Sequence, residues 1–210
     1  MALIKQQSSE LSEIIEEDER KRVRDCASLA QQLSDPDPAA RRWAARDLID
    51  CEDASVPLVA QLQQEQNRSV REIILTSLVQ LGDDVAVAGL VECLRSEDAS
   101  LRNEAIEAMK LLPDAVAPIM GKLLHDADPD VRIFAVNILE SLRHELVEEW
   151  LKEVIERDPH VNVCATAVDL LSEVGTVTSR EALENLKVRF AEEPYICFAA
   201  DLAIKRICST

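Results

Sequence analysis

Glycine and aromatic residues are scarce in this chain: 4 glycines in 210 residues, and 3% Phe, Trp and Tyr together. A β-sandwich or barrel needs many tight turns, so this composition disfavours both. No run approaches the roughly 18 consecutive apolar residues of a membrane-spanning helix. The opening Met1-Ala-Leu-Ile-Lys5, followed by Gln and Ser, has no apolar signal region, so the expected setting is the cytoplasm. No CxxC pair occurs among the six cysteines (26, 51, 93, 164, 197 and 208). Scattered in this way, they are expected to be free thiols rather than a disulfide framework. Basic residues are the minority, 23 Lys and Arg against 40 Asp and Glu, for a net charge of −17. Nucleic-acid binding rests on neutralising phosphates, and attraction to anionic membranes also needs cations, so neither partner is expected.

What is present is Ala, Leu, Val, Glu, Asp and Arg, a mixture that favours helices. Four segments then align without gaps: Asp37-Pro-Ala-Ala-Arg41, Asn67-Arg-Ser-Val-Arg71, Asp98-Ala-Ser-Leu-Arg102 and Asp128-Pro-Asp-Val-Arg132. An apolar column follows seven residues after each arginine (Leu48, Leu78, Met109, Leu139). Another lies eight residues before each Asp or Asn (Leu29, Val59, Leu90, Met120). Each unit reads as a helical hairpin. Its first helix carries apolar residues at helical spacing, as in Val56, Leu58, Val59 and Leu62. The Asp or Asn is placed to cap the second helix, with Pro38 and Pro129 at first helical positions. Val131, Ala135, Ile138, Leu139 and Leu142 form the apolar stripe of one second helix. Two-helix units this short cannot bury their apolar faces alone, so they stack.

The pattern Asp-x-Asp-Pro-x-Val-Arg-x-x-Ala-x-x-x-Leu, at Asp126–Leu139, resembles the HEAT and HEAT-like repeats, the short bacterial kind in particular. The resemblance implies an all-α superhelix, a solenoid of about six helical-hairpin repeats over 22–54, 55–84, 85–115, 116–145, 146–179 and 180–210. Repeats five and six are degenerate: Trp150, Leu151 and Ile155, then Ile196, Ala200 and Ile204, keep register, but Cys164 and Cys197 replace the arginine. Residues 1–21 stand apart as an acidic amphipathic segment around Ser8–Glu17, with Leu11, Ile14 and Ile15 as its apolar stripe. It reads as a helical cap over the first repeat, a docking or self-associating helix, or a largely disordered arm.

The Asp37, Asn67, Asp98 and Asp128 column and the Arg41, Arg71, Arg102 and Arg132 column are the obvious candidate site. The resemblance assigns them a structural part instead, each arginine bridging to a neighbouring repeat, with the ladder ending near Arg132. His125, His144 and His160 show no convergent metal-ligand spacing, and His125 and His160 fall in predicted turns. Cys164 and Cys197 read as small core residues. No nucleophile elbow or glycine-rich phosphate loop is legible, so no catalytic residue, metal or cofactor is expected. Trp43 and Phe134 share a column that reads as a half-buried helix face.

Surface remains. In related solenoids the second helices line the concave, binding face. The columns one and five past each arginine place Arg42 and Arg46, Glu72 and Thr76, Asn103 and Glu107, and Ile133 and Asn137 there. The resemblance thus implies a non-enzymatic adaptor or scaffold with a protein partner, in a bacterial signalling or chemotaxis-type system. It also leaves two alternatives, a chromophore lyase or chaperone like the phycobilin lyases that share these repeats, and a nucleic-acid-acting protein.

Overall fold

The computed structural model describes residues 25–142 and 144–209. Within them the chain forms twelve α-helices and no strand. They are α1 (Cys26–Gln32), α2 (Pro38–Asp47), α3 (Ser55–Leu62), α4 (Arg68–Leu81), α5 (Asp84–Cys93), α6 (Ala99–Lys110), α7 (Pro113–Leu124), α8 (Pro129–Leu139), α9 (Val147–Arg157), α10 (Val161–Val174), α11 (Arg180–Arg189) and α12 (Pro194–Ile207). Two 3₁₀ turns, Leu48–Asp50 and Val177–Ser179, lie at the ends of the first and fifth repeats. Odd-numbered helices are the first, and even-numbered helices the second, of six antiparallel hairpins stacked in chain order. The amphipathic segment around Ser8–Glu17 lies outside the described residues.

Local chemistry explains where the second helices start. Asp37, Asn67, Asp98 and Asp128 are all extended and accept a hydrogen bond from the backbone N–H two residues on. Those bonds satisfy donors that have no partner inside the helix. Pro38 and Pro129 take the first helical position. α4 ends on Gly82 at φ 58°, a left-handed conformation that favours glycine.

The apolar columns meet in one continuous core. Leu48, Leu78, Met109 and Leu139 are all at most 1% exposed, as are Leu90 and Met120 from the other column. Val56 departs from expectation, being exposed on the outer side of α3. Val59 is half-buried because it faces Gly89 of α5 across the repeat boundary. A methyl group at Gly89 would sit 2.4 Å from Val59 Cγ2, so glycine sets the approach of these two first helices.

Along the stack, second helices pack more extensively against one another than first helices do, except between repeats two and three, where the two rows are nearly equal. The even-numbered row is therefore the inner row. Ser77 supports it from within, its buried hydroxyl donating to the Ala45 carbonyl at 3.0 Å. On the outer row, Ser55 donates to Asp83 at 2.7 Å, and Glu148 gathers the Thr176 N–H with the Thr178 and Ser179 hydroxyls.

The cysteines correct one expectation. Cys26 and Cys51 form a disulfide with Cα atoms 5.7 Å apart, while Cys93, Cys164, Cys197 and Cys208 are free thiols. Linear spacing hides this pairing, because the first hairpin returns the end of α2 beside the start of α1. Cys164 is fully buried and Cys197 partly so; burial pushes the Cys164 thiol up to about 11.

Candidate functional site

The arginine column faces the seams between repeats. Arg41 donates through Nε and Nη2 to both oxygens of Glu65 at 2.8 Å, and through Nη1 to its own repeat's Asp35 carbonyl at 2.8 Å. Arg132 repeats the arrangement, with Asp158 at 2.6 and 3.0 Å and the Asp126 carbonyl at 2.8 Å. Arg71 reaches Asp98 at 2.5 Å and lies 3.2 Å from Glu104. A planar guanidinium suits this place because one side chain can hold a carboxylate and a carbonyl together.

Arg102 takes a different arrangement from the expected inter-repeat bridge. It donates to the Ser96 carbonyl of its own repeat at 2.6 Å and faces the Phe134 ring at 5.9 Å. Asp126, at the register position where Glu65 and Asp158 hold their arginines, is instead held by Arg95 from the end of α5, at 2.5 and 3.2 Å. Nor does the series end at Arg132. Where Cys164 has replaced the arginine, Arg189 comes from the following repeat and donates to the carbonyls of Glu156 and Asp158 and to Cys164 Sγ. Each of the five seams among the described residues is thus crossed by at least one arginine that holds a carboxylate or carbonyl of the facing repeat, and these arginines come from three different places in the repeat.

The partner column is what reasoning from the sequence missed. Asp35, Glu65, Ser96, Asp126 and Asp158 each stand two residues before the start-of-helix position and accept its N–H, at 2.8 to 3.1 Å. Glu65, Asp126 and Asp158 hold an arginine of the preceding repeat as well. The signal was present, since these residues keep step with the Asp/Asn column. Burial would raise the Glu65 carboxyl, but Arg41, the Asn67 N–H and Gln61 outweigh it and hold the group at about 2. Arg95 holds Asp126 below the ordinary carboxylate range in the same way. These groups are spent within the framework.

The other candidate columns line the inner row. Arg42, Arg46, Glu72, Thr76, Asn103 and Glu107 are exposed, while Ile133 and Asn137 are half-buried. Arg46 lies over the half-exposed Trp43 ring at 4.1 Å and pairs with Asp47 at 2.8 Å. The Thr76 hydroxyl donates to the Glu72 carbonyl, and Lys110 joins Glu107 to Glu140 of the next repeat. Asn137 stands over a shallow cleft between α8 and α10 with Glu140, Thr166, Asp169 and Glu173. On α12 the inner row becomes apolar, with Tyr195, Phe198 and Leu202 at 63, 68 and 55% exposure. All three histidines are exposed; His144 stacks on Trp150 with ring centroids 5.1 Å apart. Among the described residues no group of three potential ligands is placed to hold a metal, and no helix is long and apolar enough to cross a membrane.

Paired helices, a repeated cap-and-arginine unit and a closely packed inner row define an α-solenoid, a class whose extended surfaces commonly serve as protein-binding scaffolds. The chain belongs to the HEAT-repeat family, whose model matches residues 26–110 and 117–196. Among solved structures it is similar to Cex1p, with 15% identity, a TM-score of 0.52, and 88% of this chain covering 43% of that one. It is also similar to an archaeal HEAT-like repeats protein from Thermococcus onnurineus NA1 (16% identity, TM-score 0.45, covering 88% of this chain and 87% of that one). A third is the CpcE–CpcF complex of phycocyanin lyase from Nostoc sp. PCC7120 (18% identity, TM-score 0.37, 88% and 94% covered). No curated protein matches the chain in sequence.

Proposed function

We propose that this protein is a non-enzymatic adaptor that binds a protein partner along the inner row of second helices. The observation that carries the reading is a division of labour among polar side chains. The buried arginines and their acids are committed to the seams. Arg42, Glu72, Thr76, Asn103 and Glu107 instead project from the inner row, exposed, with at most local contacts. Such a row changes from basic to acidic to neutral along the stack, which suits recognition of one extended surface rather than one small molecule. A bacterial signalling or chemotaxis-type assembly is the setting we propose.

The test is site-specific photo-crosslinking in the native host. A crosslinker at Glu72 or Asn103 on the inner row is compared with one at Val56 or Val85, both exposed on first helices. One discrete protein adduct from the inner positions, absent from the outer ones, is the expected result. With the crosslinker at Asn103, changing Arg42, Arg46, Glu72 and Glu107 together to Ala should abolish that adduct. Adducts from the outer positions alone would overturn the assignment of the face.

A further inference from the structure

The inner row is not uniform, and its last three repeats bring two features together. Between α8 and α10 lies an open cleft of about 230 Å³ whose polar lining includes Asn137, Glu140, Thr166, Asp169 and Glu173. Glu140 is already paired with Lys110. Asp169 and Glu173 make no ion pair or side-chain hydrogen bond among the described residues, and partial burial raises the Asp169 carboxyl above its ordinary range. An acid placed this way gains from an incoming cation, which would restore the solvation it has lost. The seam acids Glu65, Asp126 and Asp158, by contrast, each hold an arginine.

One repeat further on, α12 packs against α10. Here the surface turns apolar: Leu202 stands at the register position of Asp169, Phe198 at that of Ala165, and Tyr195 at that of Asn162. All three side chains are more than half exposed. Carboxylates without cations beside an uncovered aromatic and aliphatic patch specify a complementary partner with the two features in the same order. Neighbouring packed helices are about 8–10 Å apart, a distance an extended chain covers in about three residues at roughly 3.3 Å each.

We infer that the inner face of repeats four to six binds an extended polypeptide segment carrying a Lys or Arg and an apolar residue about three positions apart. The cation sits against Asp169 and Glu173, and the apolar side chain against Tyr195, Phe198 and Leu202. This deepens the adaptor reading and rests on it.

The experiment uses the full chain and fluorescein-labelled Gly/Ser-rich peptides, read by fluorescence anisotropy. One pool has Arg and Phe three positions apart, in both orders; control pools replace Phe with Ser or Arg with Glu. The Arg/Ser pool reads the bulk attraction of a chain with net charge −17, so Phe-dependent binding is the informative difference. The Arg/Phe pool should bind at least tenfold more tightly than either control. Asp169→Asn with Glu173→Gln should erase the advantage of Arg, and Phe198→Ala with Leu202→Ala that of Phe. Asp169→Lys with Glu173→Lys should transfer the preference to the Glu/Phe pool. All four positions are exposed, so circular dichroism should report an unchanged fold. Equal binding of the Arg/Phe and Arg/Ser pools would overturn the inference. So would sedimentation showing a dimer that the Phe198 variant dissociates, because a second copy would then own the patch. Failure of the peptides while Glu72 still crosslinks a partner would reject this site and leave the adaptor reading standing.

Discussion

Removing the charge from Glu65 tests whether the seam arginines hold the stack together. The residue is 4% exposed, and its two oxygens receive Arg41, the Asn67 N–H and the Gln61 amide. Its carboxyl falls from an ordinary 4.5 to about 2 in the folded protein. That difference corresponds to about 3 kcal/mol favouring the folded state. Because the folded value is depressed, the contribution is complete above about pH 5 and is lost as pH falls toward 2; roughly half remains at pH 3. Glu65→Gln keeps the shape but has no charge to lose, and it leaves the largely buried Arg41 without a counterion. Trp43 lies in the first repeat and Trp150 in the fifth, so Trp150→Phe leaves one fluorophore beside the first seam. Urea unfolding followed at Trp43 should show wild type about 3 kcal/mol more stable than Glu65→Gln at pH 7, with the gap closing through pH 4 to 3. A gap that stays constant from pH 7 to 3, or one below about 1 kcal/mol at pH 7, would refute the reasoning.

The remaining predictions use other parts of the stack. Thiol titration of denatured, unreduced protein should find four reactive groups, and six after reduction, because Cys26 and Cys51 are paired; reduction should also cost the Trp43 transition about 2–4 kcal/mol. Arg189→Met removes the donor that serves the Glu156 and Asp158 carbonyls, so the transition seen at Trp150 in a Trp43→Phe background should weaken by about 1.5–3 kcal/mol. Gly89→Ala would add about 1 kcal/mol on helix propensity alone. Its new methyl meets Val59, so calorimetry should instead show a loss of about 1–3 kcal/mol, relieved by adding Val59→Ala. Leu139→Ala, at a core position 1% exposed, should lose about 2–5 kcal/mol by urea unfolding.

The sequence by itself determined the repeating unit, because everything that defines it is local. Helical spacing of apolar residues such as Val131, Ala135, Ile138 and Leu139, a cap at Asp37, Asn67, Asp98 and Asp128, and proline at helix starts all act within one turn or one hairpin. Strict repetition then requires identical units to stack on identical neighbours. Tertiary structure decided which arginine crosses each seam. Arg102 and Arg95 both lie within reach of repeat four, and only three-dimensional placement gives Asp126 to Arg95. Arg189 was invisible as a substitute for the arginine lost at Cys164, since it comes from another helix and points backward along the stack. The Cys26–Cys51 bond belongs to the same class, created by the hairpin's return rather than by spacing. The inner surface was legible as columns, but which of its acids lack a cation was not. That depends on the distances between side chains of adjacent repeats, and packing alone sets those distances.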